Sequence, residues 1–145
     1  MVDVSEKPGS KRMAVASCKV LLGENAFRLV AANQIAKGDV LSVAKIAGIY
    51  GAKHTANLIP LCHNIMLSKV QLELRLNEHE RAVEIKGEVT SVGQTGVEME
   101  AMTAVSVAGL TIYDMCKAVC KDIQITNIQL EMKTGGKSGE WARNQ

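Results

Sequence analysis

A chain of 145 residues with 47% hydrophobic residues can bury the core of one domain and is too short for two ordinary ones. A charged fraction of 22%, a net charge of +2 and only 3% aromatic residues argue against a strongly basic nucleic-acid binder and leave few platforms for stacking single-stranded bases. Four cysteines (Cys18, Cys62, Cys116, Cys120) are too sparse for a disulfide scaffold, residues 1–12 hold no apolar signal-peptide core, and the uncharged run at 101–113 is shorter than the ~18–20 apolar residues of a membrane span. A soluble protein with reduced thiols is the expectation, folded as a single domain over 1–145 with flexible arms at 1–12 and 134–145.

Along the chain, residues 14–22 alternate loosely around Val15, Cys18 and Val20 and read as a strand that Gly23 breaks. Phe27, Val30 and Ala31 lie at helical spacing within 24–34, and Lys37-Gly38-Asp39 reads as a helix stop followed by an N-cap. A second helix is predicted over 40–58, with Val43, Ile46, Ala47 and Tyr50 on one apolar stripe, Gly48 and Gly51 admitting a close neighbour, and Pro60 as terminator. The period then becomes two. Val70, Leu72, Leu74 and Leu76 alternate with Gln71, Glu73 and Arg75, and after the polar turn Asn77-Glu78-His79-Glu80 the partner strand carries Val83, Ile85 and Val89 against Glu84 and Glu88.

Residues 95–121, TGVEMEAMTAVSVAGLTIYDMCKAVCK, form the predicted central helix, opened by a capping box between Thr95 and Glu98. No charge falls between Glu100 and Asp114, so this helix is expected to be buried nearly all round. A last strand holds Ile123 and Ile125, then Ile128, Leu130 and Met132, its phase slipping at Thr126-Asn127. The order of elements predicts an α+β fold of the ferredoxin-like kind, an antiparallel sheet with helices on one face. One small sheet cannot cover a helix apolar on every side, which implies burial of the excess against another subunit.

Chemistry concentrates at the ends of that helix. Asp114 and Lys117 share a face one turn apart. They read either as an ordinary surface pair or, among Leu110, Ile112, Tyr113, Met115 and Val119, as a half-buried pair suited to proton transfer. Glu98 and Glu100 suit the helix dipole, and a rise of about 1.5 Å per residue puts Glu100 and Asp114 roughly 21 Å apart. If both ends serve one site, a second subunit must join them. Cys62 and His63 lie in a loop as a buried thiol and a packed or capping imidazole, with His63 the one histidine placed like a reactive group. Cys116 and Cys120 read as small core side chains sooner than as half a zinc site. Gly136-Lys137-Ser138 lacks the earlier glycine of a P-loop, Glu131 standing there. Gly-Gly-Lys-Ser can still fold over a phosphate or stay a mobile terminus.

The blocks MVDVSEKP, KGDVLSVAKIAGI, LIPLCHN, TGVEMEAMTAVSVAGLTIYDMCKAV and KTGGKSG, in this order and over almost the whole chain, resemble the cyclic pyranopterin monophosphate synthase (MoaC) family of molybdenum-cofactor biosynthesis. The resemblance implies a lyase that rebuilds a GTP-derived 3′,8-cyclic intermediate into cyclic pyranopterin monophosphate with release of pyrophosphate. It also implies a homohexamer of dimers with active sites at the dimer interface and no catalytic metal or organic cofactor, although Mg²⁺ can accompany a triphosphate. Asp114 matches the family's active-site aspartate and Lys117 its partner. Leu61, Cys62, His63, Met99 and Glu100 match substrate-binding segments, and Arg12, Lys37, Glu98 and Lys133 further polar positions. No membrane or nucleic-acid partner is implied, and the cytoplasm, or the mitochondrial matrix in a eukaryote, is the expected compartment. Two other readings stay open: an oligomeric module that binds GTP-like nucleotides without catalysis, and a metal carrier using Cys62, Cys116 and Cys120.

Overall fold

The structure, a computed structural model, describes residues 1–144; Gln145, the end of the expected C-terminal arm, lies outside the described residues. Five strands, β1 (Ser10–Leu21), β2 (Leu67–Asn77), β3 (Ala82–Gly93), β4 (Gln124–Thr134) and β5 (Trp141–Ala142), form one antiparallel sheet in the order β2-β3-β1-β4-β5. Helices α1 (Glu24–Ala31), α2 (Val40–Lys53) and the single turn α3 (Thr55–Leu58) connect β1 to β2, and α4 (Glu98–Cys116) connects β3 to β4. Two interleaved βαβ units result, which is the ferredoxin-like arrangement expected. No helix among the described residues is long and apolar enough to cross a membrane.

The period-two segments pair as an antiparallel hairpin, with Leu72 opposite Gly87 and Leu74 opposite Ile85. β1 begins at Ser10, earlier than expected, which brings Lys11 and Arg12 into the ladder opposite Val92 and Ser91. The phase slip at Thr126-Asn127 is a real bend: Asn127 adopts a φ of 58°, and the β1–β4 register shifts beside it. The outer face of the sheet is solvated and charged, with pairs such as Lys69–Glu88 and Arg75–Glu84 across neighbouring strands.

The core lies between the sheet and the layer of α2 and α4. Ala101, Ala104, Val105, Ala108 and Ile112 of α4 are fully buried against Ala14, Ala16, Val20, Ile85 and Val89 of the sheet. Small residues decide how close the layers come. A Cβ on Gly48 would fall on Leu72 and within 2.8 Å of the Ala104 carbonyl, so α2 can rest on α4 only through a glycine. Asp39 caps α2 as expected, accepting from the Ser42 N–H at 3.1 Å, and Gly38 (φ 121°) makes the turn that sets it there.

Four expectations are corrected. The helix predicted over 40–58 breaks at His54 (φ −114°, ψ 15°), and α2 presents Val40, Ala44, Gly48, Gly51 and Ala52 to the core rather than the larger stripe. Val43, Ile46 and Tyr50 point outward, because a helix this close to its neighbour has room only for small side chains on the inner face. α4 runs from Glu98 to Cys116, and Val97, with no side-chain hydrogen bond, is its N-cap, so the Thr95–Glu98 capping box does not form. Finally, sheet and α2 cover α4 almost completely, Leu110 being its one exposed large apolar residue, while α2 leaves Val43, Ile46 and Tyr50 uncovered.

Gly48→Ala should lower stability by about 1–3 kcal/mol through overpacking, read as a drop in Tm. An unchanged Tm would show that α2 can move away from α4 without loss.

Candidate functional site

The sequence-predicted residues fall into two clusters, one at each end of α4. At its C-terminal end Asp114 accepts from two lysines. Lys37 Nζ lies 3.0 Å from Oδ2 and also donates to the Asp114 carbonyl at 3.3 Å, and Lys117 Nζ lies 3.1 Å from Oδ1. Lys37 arrives from the turn that caps α2 and Lys117 from the C-cap of α4, so two separate elements converge on one carboxylate. The half-burial expected for this pair is not found. Asp114 is 56% exposed and both lysines 53%, and the lysines, Lys37 foremost, hold the carboxyl below its usual range. The apolar neighbours Ile112 and Met115 turn into the core, while Asp114 leaves the helix on the opposite side.

At the N-terminal end the carboxylates differ from each other. Glu98 is paired with Lys133, Oε1 to Nζ 3.0 Å. Glu100 is 3% exposed, and burial pushes its carboxyl pKa up, with Glu98 adding to the rise. It is therefore more than a dipole-compensating first-turn acid. Glu100 borders a small pocket of about 150 Å³ lined also by Lys53, Thr55, Asn64 and Met66. Cys62 is close enough for Glu100 to raise its thiol pKa further after burial has done so. Beside it, the His63 Nε2 faces the Val2 carbonyl at 2.5 Å, Leu61 is exposed, and Met99 is half-buried on the first turn of α4.

Strand register brings the cations to this end. Lys133 sits opposite Ala14, and Arg12 is two residues before Ala14, so both leave the sheet on the helix side. Arg12 is 8% exposed, and its Nε donates to the Gly93 carbonyl at 3.0 Å. The Gly135-Gly136 turn, with φ of 92° and 79°, packs against it; a Cβ at Gly136 would collide with the guanidinium. Lys37, grouped by sequence with Arg12 and Lys133, is at the other end of the helix with Asp114.

Sequence does not single out Lys53, which falls inside the helix predicted over 40–58; the observed α2 ends on it. Its one signal is its place just before the break at His54, the step that returns the chain toward Cys62 and Glu100. The core thiols are inert: burial pushes Cys18 up to about 12 and Cys116 up to about 11. Among the described residues no three of His, Cys, Asp and Glu come together as a metal site.

Fold and clusters together define a class: a ferredoxin-like α+β protein whose buried helix separates a buried acid with its cations from an exposed acid with its lysines. The MoaC family model matches residues 1–136, and the chain belongs to the MoaC family. It is 67% identical over 99% of its length to a mitochondrial cyclic pyranopterin monophosphate synthase of Arabidopsis thaliana, of which it covers 53%. It is 60% identical over 94% of its length to molybdenum cofactor biosynthesis protein 1 of Drosophila melanogaster, covering 24% of that chain. The cyclic pyranopterin monophosphate synthase of Salinibacter ruber is 56% identical over 97% of this chain and 83% of its own. The chain thus spans about half of the plant relative and about a quarter of the fly one.

The raised pKa of Glu100 has a sign that can be measured. Its folded form keeps the proton longer than the unfolded chain does, so stability falls as pH rises from the ordinary carboxylate range through the raised value. Glu100→Gln should remove that fall and give a higher Tm than the wild type at pH 8, with the two converging near pH 4. Parallel Tm–pH curves would refute a buried, proton-retaining Glu100.

Proposed function

We propose that the chain is a cyclic pyranopterin monophosphate synthase, converting the GTP-derived 3′,8-cyclic intermediate into cyclic pyranopterin monophosphate and pyrophosphate. The observation that carries this reading is the shared name of the plant and Salinibacter relatives, at 67% and 56% identity over nearly all of this chain. The two clusters supply the chemistry it needs. Asp114, ionised between Lys37 and Lys117, is placed to take a proton, and the lysines to return one, while the purine-derived ring opens and recloses as a pterin. Glu100, with its raised pKa, and His63 hold or protonate the base; Leu61, Cys62 and Met99 line its place. Arg12 and Lys133 meet the phosphates, with Glu98 beside them, and a ribose hydroxyl attacks the α-phosphate to expel pyrophosphate.

Glu100 and Asp114 are fourteen residues apart on one helix, about 21 Å along its axis. One substrate cannot reach both within a single copy. The reading therefore includes a dimer, assembled further into a hexamer, in which the N-terminal cluster of one copy faces the C-terminal cluster of another. The outward stripe Val43, Ile46 and Tyr50, 42%, 66% and 65% exposed, supports a surface that another copy covers. The same reading puts the protein in the cytoplasm, or in the mitochondrial matrix of a eukaryotic source.

Turnover of the cyclic intermediate, followed as pterin fluorescence after oxidation, should fall by about 10²-fold or more in Asp114→Asn and in Lys117→Ala. Near-normal turnover by folded variants would overturn the assignment of Asp114 and Lys117, whereas no pterin from the wild type would leave only a nucleotide-binding module. Shared sites make a second demand. Co-expressed Asp114→Asn and Glu100→Gln chains, each inactive alone, should regain activity in hybrid oligomers whose second site is intact at both clusters. Absence of any recovery in verified hybrids would sink the two-copy site.

A further inference from the structure

The cations at the N-terminal end of α4 are not equivalent. Arg12, almost buried, forms no ion pair with any carboxylate among the described residues. Lys133, one strand away, is already neutralised: its Nζ lies 3.0 Å from Glu98 Oε1 and 3.2 Å from the Ser138 hydroxyl of the glycine-rich turn. The carboxylate that neutralises it has a prepared position. Gly96 leaves the room, since a Cβ there would strike both Glu98 carboxylate oxygens. Glu98 is also the first residue of α4, where no side chain caps the free N–H groups, so its charge sits at the positive end of a 19-residue helix. The pair is shielded too, the two side chains being 24% and 30% exposed. One anion of the protein's own thus neutralises a lysine at a helix N-terminus, while Arg12, on the strand next to Lys133, has no carboxylate partner among the described residues.

We propose that Glu98 is a displaceable counter-anion, standing where a phosphate group of the substrate binds and giving up Lys133 when that group arrives. The inference rests on the reading of this end as the phosphate end. Its consequence is a limit on grip. Two cations and a helix terminus would hold pyrophosphate strongly, and a competing carboxylate a few Å away weakens that hold through competition for Lys133 and repulsion of the incoming anion. A polyphosphate carries enough charge to displace Glu98, and the carboxylate returns as the product leaves. Glu98 therefore sets the balance between binding the substrate and releasing pyrophosphate.

The test uses the full chain and inorganic triphosphate as the probe, titrated calorimetrically, with Tm as the check on folding. Glu98→Gln should tighten triphosphate binding by about tenfold or more, as expected for removing one unit charge a few Å from an anion, and should strengthen inhibition by pyrophosphate. Glu98→Ala should act in the same direction, whereas Glu98→Asp, which keeps the charge, should stay near wild type. Unchanged or weaker triphosphate binding in both neutral variants overturns the proposal, as does a wild type and Glu98→Gln pair that both fail to bind. Turnover of the cyclic intermediate by the wild type is measured separately. Activity without the tightening rejects the role of Glu98 alone, and absence of activity rejects the enzymatic reading itself.

Discussion

The contact on which everything else depends is the methyl-free seam between α2, α4 and the sheet. At Gly48 α2 meets the Ala104 carbonyl and Ala108 of α4 and at Gly87 the strand β3 meets Leu72 and Val105, with no space for another carbon, and at Gly109 α4 meets Ile125 with little to spare. Close packing of this kind leaves α4 little freedom to slide or rotate, because a shift of one residue would drive a side chain into a backbone. A helix of 19 residues, about 28 Å long, becomes a fixed rod. The positions of the groups at its two ends are then set by the core rather than by the loops that carry their partners.

Those two ends are different electrostatic environments. Glu100 is buried beside the end of α2 and the turn α3, desolvated and near another carboxylate, and its pKa rises. Asp114 is in solvent between two ammonium groups, and its pKa falls. Environments that push two carboxyl pKa values apart are what acid–base chemistry on one substrate requires. Within a single chain the separation forbids their cooperation on one substrate, and the proposed reading therefore includes a second copy that closes the gap. The uncovered apolar stripe of α2 supports that closure from the packing side.

The glycine-rich segment after β4 shows how a weak sequence signal acquires meaning. Gly136-Lys137-Ser138 is not a P-loop, and as a string it is equally a loose terminus. Folded, Gly135 and Gly136 take up positive φ and lie against Arg12, and Ser138 accepts from Lys133. Two residues 121 apart in sequence, Arg12 and Lys133, thereby share one wall.

Much was legible in the chain itself, for a physical reason: periodicity records burial. The hairpin follows from strict alternation between 70 and 89, the central helix from a run without charge, the cap of α2 from Lys37-Gly38-Asp39, and the bend in β4 from a slip of phase at Thr126-Asn127. Local rules failed where a choice between faces or partners was open. Val43, Ile46 and Tyr50 looked like the inner stripe of α2, and only the nearness of α4 decided that the glycine and alanine face goes in. Glu98 looked like a capping-box residue, and only the β1–β4 register put Lys133 within its reach. Asp114 looked half-buried by its neighbours, and only the packing of Ile112 and Met115 into the core left it in solvent beside Lys37. The sequence determined which segments fold and which residue types stand at the ends of the central helix. Tertiary structure decided which of them are desolvated and which cation each acid meets, because burial and charge pairing depend on distances between segments that no local pattern encodes.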